Sequence, residues 1–114
     1  MKPEVFVQGS AIDWEDLGSG IERKILAYNG QIMMTFIRFK KGAVGAVHKH
    51  SHTQVTYVES GSFEVEIGRE KKILRTGDSF LIPSNVEHGV VALENAVLID
   101  VFTPMRDDFL DKAR

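Results

Sequence analysis

Three of the four histidines in this 114-residue chain stand in a pattern that can hold a metal ion. His48 and His50 are separated by one residue, Gln54 follows, and His88 comes 34 residues after Gln54. Neutral imidazole offers a nitrogen lone pair, and a glutamine amide offers an oxygen. Three imidazoles and one amide oxygen leave room at an ion for water or substrate. The pattern predicts one divalent ion per chain on His48, His50, Gln54 and His88, and Ni, Zn, Mn and Fe are all admissible. The competing reading makes these residues ordinary polar strand positions or the remnant of a lost site.

Distance sets a condition on the chain. Val44 to Val58 is rich in Val, Thr and Tyr and reads as β-structure. In one straight strand His48 and Gln54 would lie ~20 Å apart, at ~3.3 Å per residue. An ion held at ~2 Å by each ligand cannot span that gap. If both bind, the chain bends between them, so that His50 ends one strand and Gln54 begins the next. His52 then sits in the corner and is not a ligand.

The donor set carries no charge at neutral pH. A divalent ion there keeps nearly its full +2, which favours an anionic ligand, such as a carboxylate, and Lewis-acid chemistry. Asp100 adds a titratable group to the picture. It lies in Ala96-Val97-Leu98-Ile99-Asp100-Val101-Phe102, in register with Leu98 and Phe102. If that face points inward, Asp100 is desolvated and suited to general acid/base work. The alternative is a surface carboxylate paired with Arg106. Arg106 follows just beyond the strand and can grip a substrate carboxylate through two parallel hydrogen bonds. Its own alternative is an exposed ion pair with Asp107 or Asp108. Phe102 can stack on a sugar face or simply pack in the core, and Tyr57 is equally open. Trp14 reads as a packing plug.

These residues need a scaffold of strands. Apolar alternation between closely spaced turn signals predicts an all-β sandwich or barrel. The predicted strands are Ile21 to Tyr28, Gln31 to Phe39, the bent Val44 to Val58, Ser62 to Ile67, Lys71 to Arg75, Ser79 to Ile82, His88 to Leu93 and Ala96 to Phe102. Asn29-Gly30 reads as a hairpin turn whose residues tolerate positive φ. In Gln31 to Phe39 both faces are apolar, which predicts cover on both sides. Phe63, Val65 and Ile67 should point inward, and Ser79 to Ile82 should be buried. Closing the strands into a barrel removes exposed edges. The chain is then a single domain, with residues 1–20 as an N-terminal extension, 21–102 as the barrel, and 103–114 as a tail with room for one helical turn.

Bulk composition excludes several classes. A hydrophobic content of 43% and a charged content of 26% suit a globular protein. The net charge of −2 and the lack of a basic stripe argue against nucleic acid. No apolar run reaches membrane-spanning length, and the first residues do not read as a signal peptide. Cysteine is absent, which fits a cytoplasmic location.

The spacing also carries a family likeness. Gly42-x5-His48-x-His50-x3-Gln54-x6-Gly61 resembles the first cupin motif, with Gln where many cupins have Glu. Gly77-x5-Pro83-x-Asn85-x2-His88 resembles the second, with Asn85 where Gly is usual and Ala92 where Asn is often found. Trp14 to Gly18, Arg23 to Ala27, Lys41 to His48, Gly77 to Phe80, Pro83 to Val86 and Asp100 to Phe102 further resemble the KdgF-like cupins of pectin degradation. The resemblance implies a small single-domain cupin, a jelly-roll-like β-barrel, that pairs as a homodimer. It implies a metal-dependent isomerase that opens 4,5-unsaturated monouronates from pectin or alginate and ketonises them to 5-keto-4-deoxyuronate. In that reading the metal sits on His48, His50, Gln54 and His88, Asp100 moves the proton, and Arg106 holds the carboxylate of a small anionic sugar. A cupin dioxygenase and a non-catalytic uronate or metal sensor are the rival readings.

Overall fold

Among the described residues, period-two burial and short turns give ten strands, with a 3-10 turn at Gly9–Ala11 before them and one short α-helix after them. A computed structural model describes residues 4–110. The strands are β1 (Glu15–Gly18), β2 (Ile21–Asn29), β3 (Ile32–Phe39), β4 (Val44–His48), β5 (Thr53–Ser60), β6 (Ser62–Ile67), β7 (Glu70–Arg75), β8 (Ser79–Ile82), β9 (His88–Ala92) and β10 (Ala96–Thr103). One helical turn, α1 (Asp107–Leu110), follows, as the tail allowed. Among the described residues no helix is long and apolar enough to cross a membrane. The predicted N-terminal extension and tail fall partly outside the described residues, at 1–3 and 111–114.

Two antiparallel sheets form, with strand orders β1-β2-β3-β10-β5-β8 and β4-β9-β6-β7. This is the expected all-β, jelly-roll-like architecture. The hydrogen bonding does not close into a ring, however: β1 and β8 bound one sheet and β4 and β7 the other. Strand pairing begins before Ile21, because Glu15 and Asp16 pair with Arg23 and Glu22. Both inner faces feed one core, built on Phe39, Val58, Phe63, Val65, Ile82 and Leu98. Phe39 and Phe63 meet edge to face across it, with ring centroids 5.1 Å apart.

Val44 to Val58 bends as the ligand distances require. β4 belongs to the four-stranded sheet and β5 to the six-stranded one. His50 lies in the connection between them rather than at the end of a strand. Three other expectations need correction. The Asn29-Gly30 turn exists, but neither residue has positive φ. The Asn29 carboxamide instead accepts hydrogen bonds from the amides of Gln31 (2.8 Å) and Ile32 (3.1 Å), a side-chain cap that serves the same bend. β3 is fully covered on its inner face only: Met33 and Thr35 are buried, while on the outer face Ile32 is 46% and Met34 39% exposed and only Phe36 is part-covered, by Trp14. In β8, Phe80 and Ile82 are buried but Leu81 points out, because the strand is an edge with one face on the core.

Gly61 shows how tightly the turn from β5 to β6 is drawn. Its φ is +80°, and a Cβ there would stand 2.5 Å from that of Ala96 and 2.7 Å from the Asn95 carbonyl oxygen. Left-handed strain and overpacking add, so Gly61→Ala is expected to cost roughly 2–5 kcal/mol. Gly68 also has positive φ but open space around it, so Gly68→Ala should cost only about 1–2 kcal/mol. Chemical denaturation of the two variants checks the contrast.

Candidate metal centre

Cross-strand register places the candidate residues between the two sheets. His48 ends β4 and lies directly opposite His88, the first residue of β9. Gln54 lies on β5 opposite Phe102 of β10, and Thr56 lies opposite Asp100. Opposed residues point to the same face, so Thr56, Asp100 and Thr35 form one inward row across three strands. His50 arrives from the connection after β4. That connection is tied down by the Asn85 amide, which donates to the His50 carbonyl at 2.7 Å. Asn85 does so at a φ of 64°, which asparagine tolerates, and this accounts for Asn where the motif has Gly.

The three imidazoles converge. Ligand atoms of His48, His50 and His88 lie within 4.8 Å of one another. Each ring is held from behind by a backbone carbonyl. The Nδ1–H of His48 donates to Ala46 (2.8 Å), that of His50 to His52 (3.0 Å), and that of His88 to Val86 (2.9 Å). A carbonyl only accepts, so Nδ1 carries the proton and Nε2 keeps its lone pair, the arrangement usual for a metal-ligating histidine. Oε1 of Gln54 stands 3.0 Å from Nε2 of His50. Both atoms are then acceptors, and their approach is unfavourable unless a cation takes both lone pairs. The donor set therefore fits a divalent ion.

Electrostatics agree. Burial lowers the His88 pKa from 6.5 to about 4 and shifts that of His50 down as well, which leaves both rings neutral near pH 7. His52 is outside this group. Its Nε2 lies 3.1 Å from the Met105 carbonyl, and its neighbours are Asp107 and Asp108.

Gln54 faces two ways. Its Nε2 donates to Thr56 Oγ1 (2.8 Å) and to Asp100 Oδ1 (3.2 Å). Thr56 in turn donates to Asp100 Oδ1 at 2.6 Å. Asp100 is thus buried and bonded inside the barrel, not paired with Arg106 at the surface. Burial pushes its carboxyl up to about 6, against the opposing pull of Thr56, Gln54, Arg106 and His48. An acid with that pKa exchanges protons readily near neutrality.

His48, His88, Gln54, Asp100, Phe102 and Arg106 share the wall of one cavity of about 230 Å³, which also reaches Leu17 of β1 and Phe109 of α1. Phe102 is 2% exposed, with Arg106 over its ring. Arg106 also makes the ion pair that its sequence allowed: Nε and Nη2 donate to Asp108 at 3.0 and 2.8 Å. The guanidinium holds the Asp108 carboxyl below its usual range. Tyr57 is 45% exposed and outside this wall. Trp14 packs on the outer face, against Phe36, Lys24 and Arg38.

Sequence reading passed over Thr56 and Phe109. Thr56 was findable, since it stands two residues after Gln54 and so shares its strand face. Phe109 was not, because its position depends on Arg23. That buried arginine is paired with Glu15 at 2.9 Å, and its guanidinium lies 3.8 Å from the Phe109 ring centre.

A model of the cupin domain matches residues 35–102, well over half of the chain. The chain belongs to the cupin family. It is 54% identical over 99 residues to the pectin degradation protein KdgF of Dickeya dadantii, covering 85% of this cupin and 90% of that protein. Among solved structures, an RmlC-like cupin from Shewanella frigidimarina superposes with a TM-score of 0.92 at 44% identity, covering 96% of this chain and 99% of that one. KdgF from a Halomonas species superposes with a TM-score of 0.89, also at 44% identity, over 93% of this chain and 98% of that one.

The purified cupin is expected to carry about one divalent ion per chain, and His48→Ala or His50→Ala to lose it, as elemental analysis would show. A metal-free protein with full activity would refute the assignment. The chelated protein provides a second check. Because His88 titrates below its ordinary 6.5, it contributes stability above that pH and loses it as pH falls toward about 4. Asp100 works the other way, favouring the fold as it gains its proton. The difference in Tm between the parent and His88→Gln should therefore shrink from pH 6.5 to pH 4.

Proposed function

We propose that this cupin linearises and ketonises 4,5-unsaturated monouronates, the sugars left by pectin or alginate lyases, to 5-keto-4-deoxyuronate. One observation carries the reading. The Gln54 carboxamide sets its oxygen 3.0 Å from His50 of the histidine cluster and its nitrogen 3.2 Å from a buried carboxyl, and Gln54, His48, His88 and Asp100 share one cavity wall, so a metal donor set and a proton carrier adjoin. The relative named for pectin degradation supports the same substrate class, and the Halomonas structure carries the same KdgF name.

The reaction is an isomerisation. The proton leaves the C1 hydroxyl, the bond from C1 to the ring oxygen breaks, and an aldehyde forms. The ring oxygen departs as the enolate on C5, and a proton added at C4 turns it into a ketone. A divalent ion on His48, His50, Gln54 and His88 would supply a positive charge for the enolate and carboxylate oxygens. Asp100 takes the C1 hydroxyl proton and returns one to C4. Its raised pKa suits both halves of the cycle. Thr56 and Gln54 hold its Oδ1, which leaves Oδ2 to carry the proton. Arg106 holds the substrate carboxylate, with Asp108 orienting the guanidinium through Nε and Nη2. Phe102 offers its ring to the sugar. We also propose a cytoplasmic homodimer, whose contact covers the exposed Ile32 and Met34 on the outer face of β3.

The direct test adds the metal-replete protein to unsaturated galacturonate and follows loss of absorbance from the conjugated double bond. Turnover should persist without oxygen, which excludes a dioxygenase. Asp100→Asn should keep the metal but lower kcat roughly 10²–10⁴-fold with KM little changed. Arg106→Ala should chiefly raise KM, and Lys at that position should rescue only in part. Gln54→Glu should retain the metal and slow turnover. It cancels charge on the ion, and it replaces an N–H donor with a second carboxylate beside Asp100. An Asp100→Asn enzyme as fast as the parent would end the proton-carrier assignment.

A further inference from the structure

We propose that Thr56 is a positioning residue whose hydroxyl sets both the orientation of the Gln54 carboxamide and the choice of the Asp100 oxygen that faces the cavity. Its kinetic part rests on the function proposed above.

The argument is one of counting protons. The Thr56 side chain is fully buried, so its hydroxyl has only protein partners within reach. A hydroxyl has one proton, and Thr56 Oγ1 donates it to Asp100 Oδ1, 2.6 Å away. The lone pairs of Oγ1 are left to accept, and they accept from Gln54 Nε2 at 2.8 Å. The same nitrogen also reaches Asp100 Oδ1 at 3.2 Å. Turning the carboxamide over would set its oxygen against Oγ1 and Oδ1, three acceptors around a single proton. The amide oxygen is therefore confined to the side of His50 Nε2, 3.0 Å away. Without the hydroxyl, one donor to Oδ1 is lost and the amide loses its acceptor, so both groups gain freedom to turn.

Thr35 supplies an internal control. It lies on the other side of Asp100 in the same cross-strand row and is equally buried, yet its hydroxyl has no hydrogen-bond partner among the described residues. Generic loss of a buried threonine hydroxyl is thus separable from loss of this one.

The experiment compares Thr56→Val, Thr56→Ser and Thr35→Val with the parent. Ni²⁺ affinity is read by chelator competition, turnover by the absorbance assay, and folding by thermal unfolding. Thr56→Val is expected to weaken Ni²⁺ binding and lower kcat, each about 10–100-fold, the usual effect of removing a group that orients a ligand. KM should change little, because Arg106 is untouched. Thr56→Ser should restore both quantities, and Thr35→Val should match the parent. Should Thr56→Val not fold, Thr56→Ala against Thr56→Ser isolates the same oxygen. Parental affinity and kcat in Thr56→Val would overturn the proposal. So would Thr56→Ser as impaired as Thr56→Val, which would assign the effect to packing of the methyl group. A parent that binds Ni²⁺ but leaves the uronate unchanged would sink the function alone, and Ni²⁺ affinity would still decide on Thr56. A parent that binds none of Ni²⁺, Zn²⁺, Mn²⁺ and Fe²⁺ would overturn both.

Discussion

Two lone pairs face each other at 3.0 Å between the sheets, one on His50 Nε2 and one on Gln54 Oε1. Such an approach is repulsive by itself, and every neighbouring group works to maintain it. Backbone carbonyls hold the Nδ1–H of His48, His50 and His88 and so direct Nε2 inward. Thr56 and Asp100 accept from the amide nitrogen and so direct Oε1 the same way. The backbone accommodates this by bending after β4, passing from one sheet to the other, and fastening the connection through Asn85.

Placing a carboxyl at the centre of a six-stranded sheet carries a desolvation cost, which hydrogen bonds only partly offset. The consequences for charge are coherent. Burial disfavours the charged form of every group, so His50 and His88 shift down and Asp100 shifts up. Arg106 stands as a cation on the pocket wall, with Asp108 bound to it. An anionic ligand entering there meets attraction from Arg106 and no ionised carboxylate among the proposed metal ligands.

The chain ends complete the enclosure. β1 brings Leu17 to the cavity and Glu15 to Arg23. Arg23 and Arg106 lie 3.8 and 4.3 Å from the centre of the Phe109 ring. Phe109 meets Phe102 edge to face at 5.6 Å. Cation–π and aromatic contacts of this kind are worth about 0.5–2 kcal/mol each, enough to hold a four-residue helix that could not persist alone.

Much of this was legible in the residues. Strand period two put Asp100 on one face with Leu98 and Phe102, because alternation is a property of the backbone itself, and the packed sheets turned that face inward. Ligand reach required the bend between His48 and Gln54, since an ion cannot stretch its bonds. Spacing and residue type singled out His48, His50, Gln54 and His88, and their side chains do meet. The rest depended on register between distant strands. Nothing local to Gln54 says that its nitrogen will lie opposite Asp100, 46 residues away. Nothing local to Arg23 says that Phe109 will cover it. The exposure of Ile32, Met34 and Leu81 followed from the position of β3 and β8 in the sheets, which a strand's own pattern does not record. Turn chemistry and periodicity act over a few residues and can be read in order along the chain. Hydrogen bonds between side chains on different strands are decided by which strands become neighbours and in what register, and that is settled only when the sheets pack.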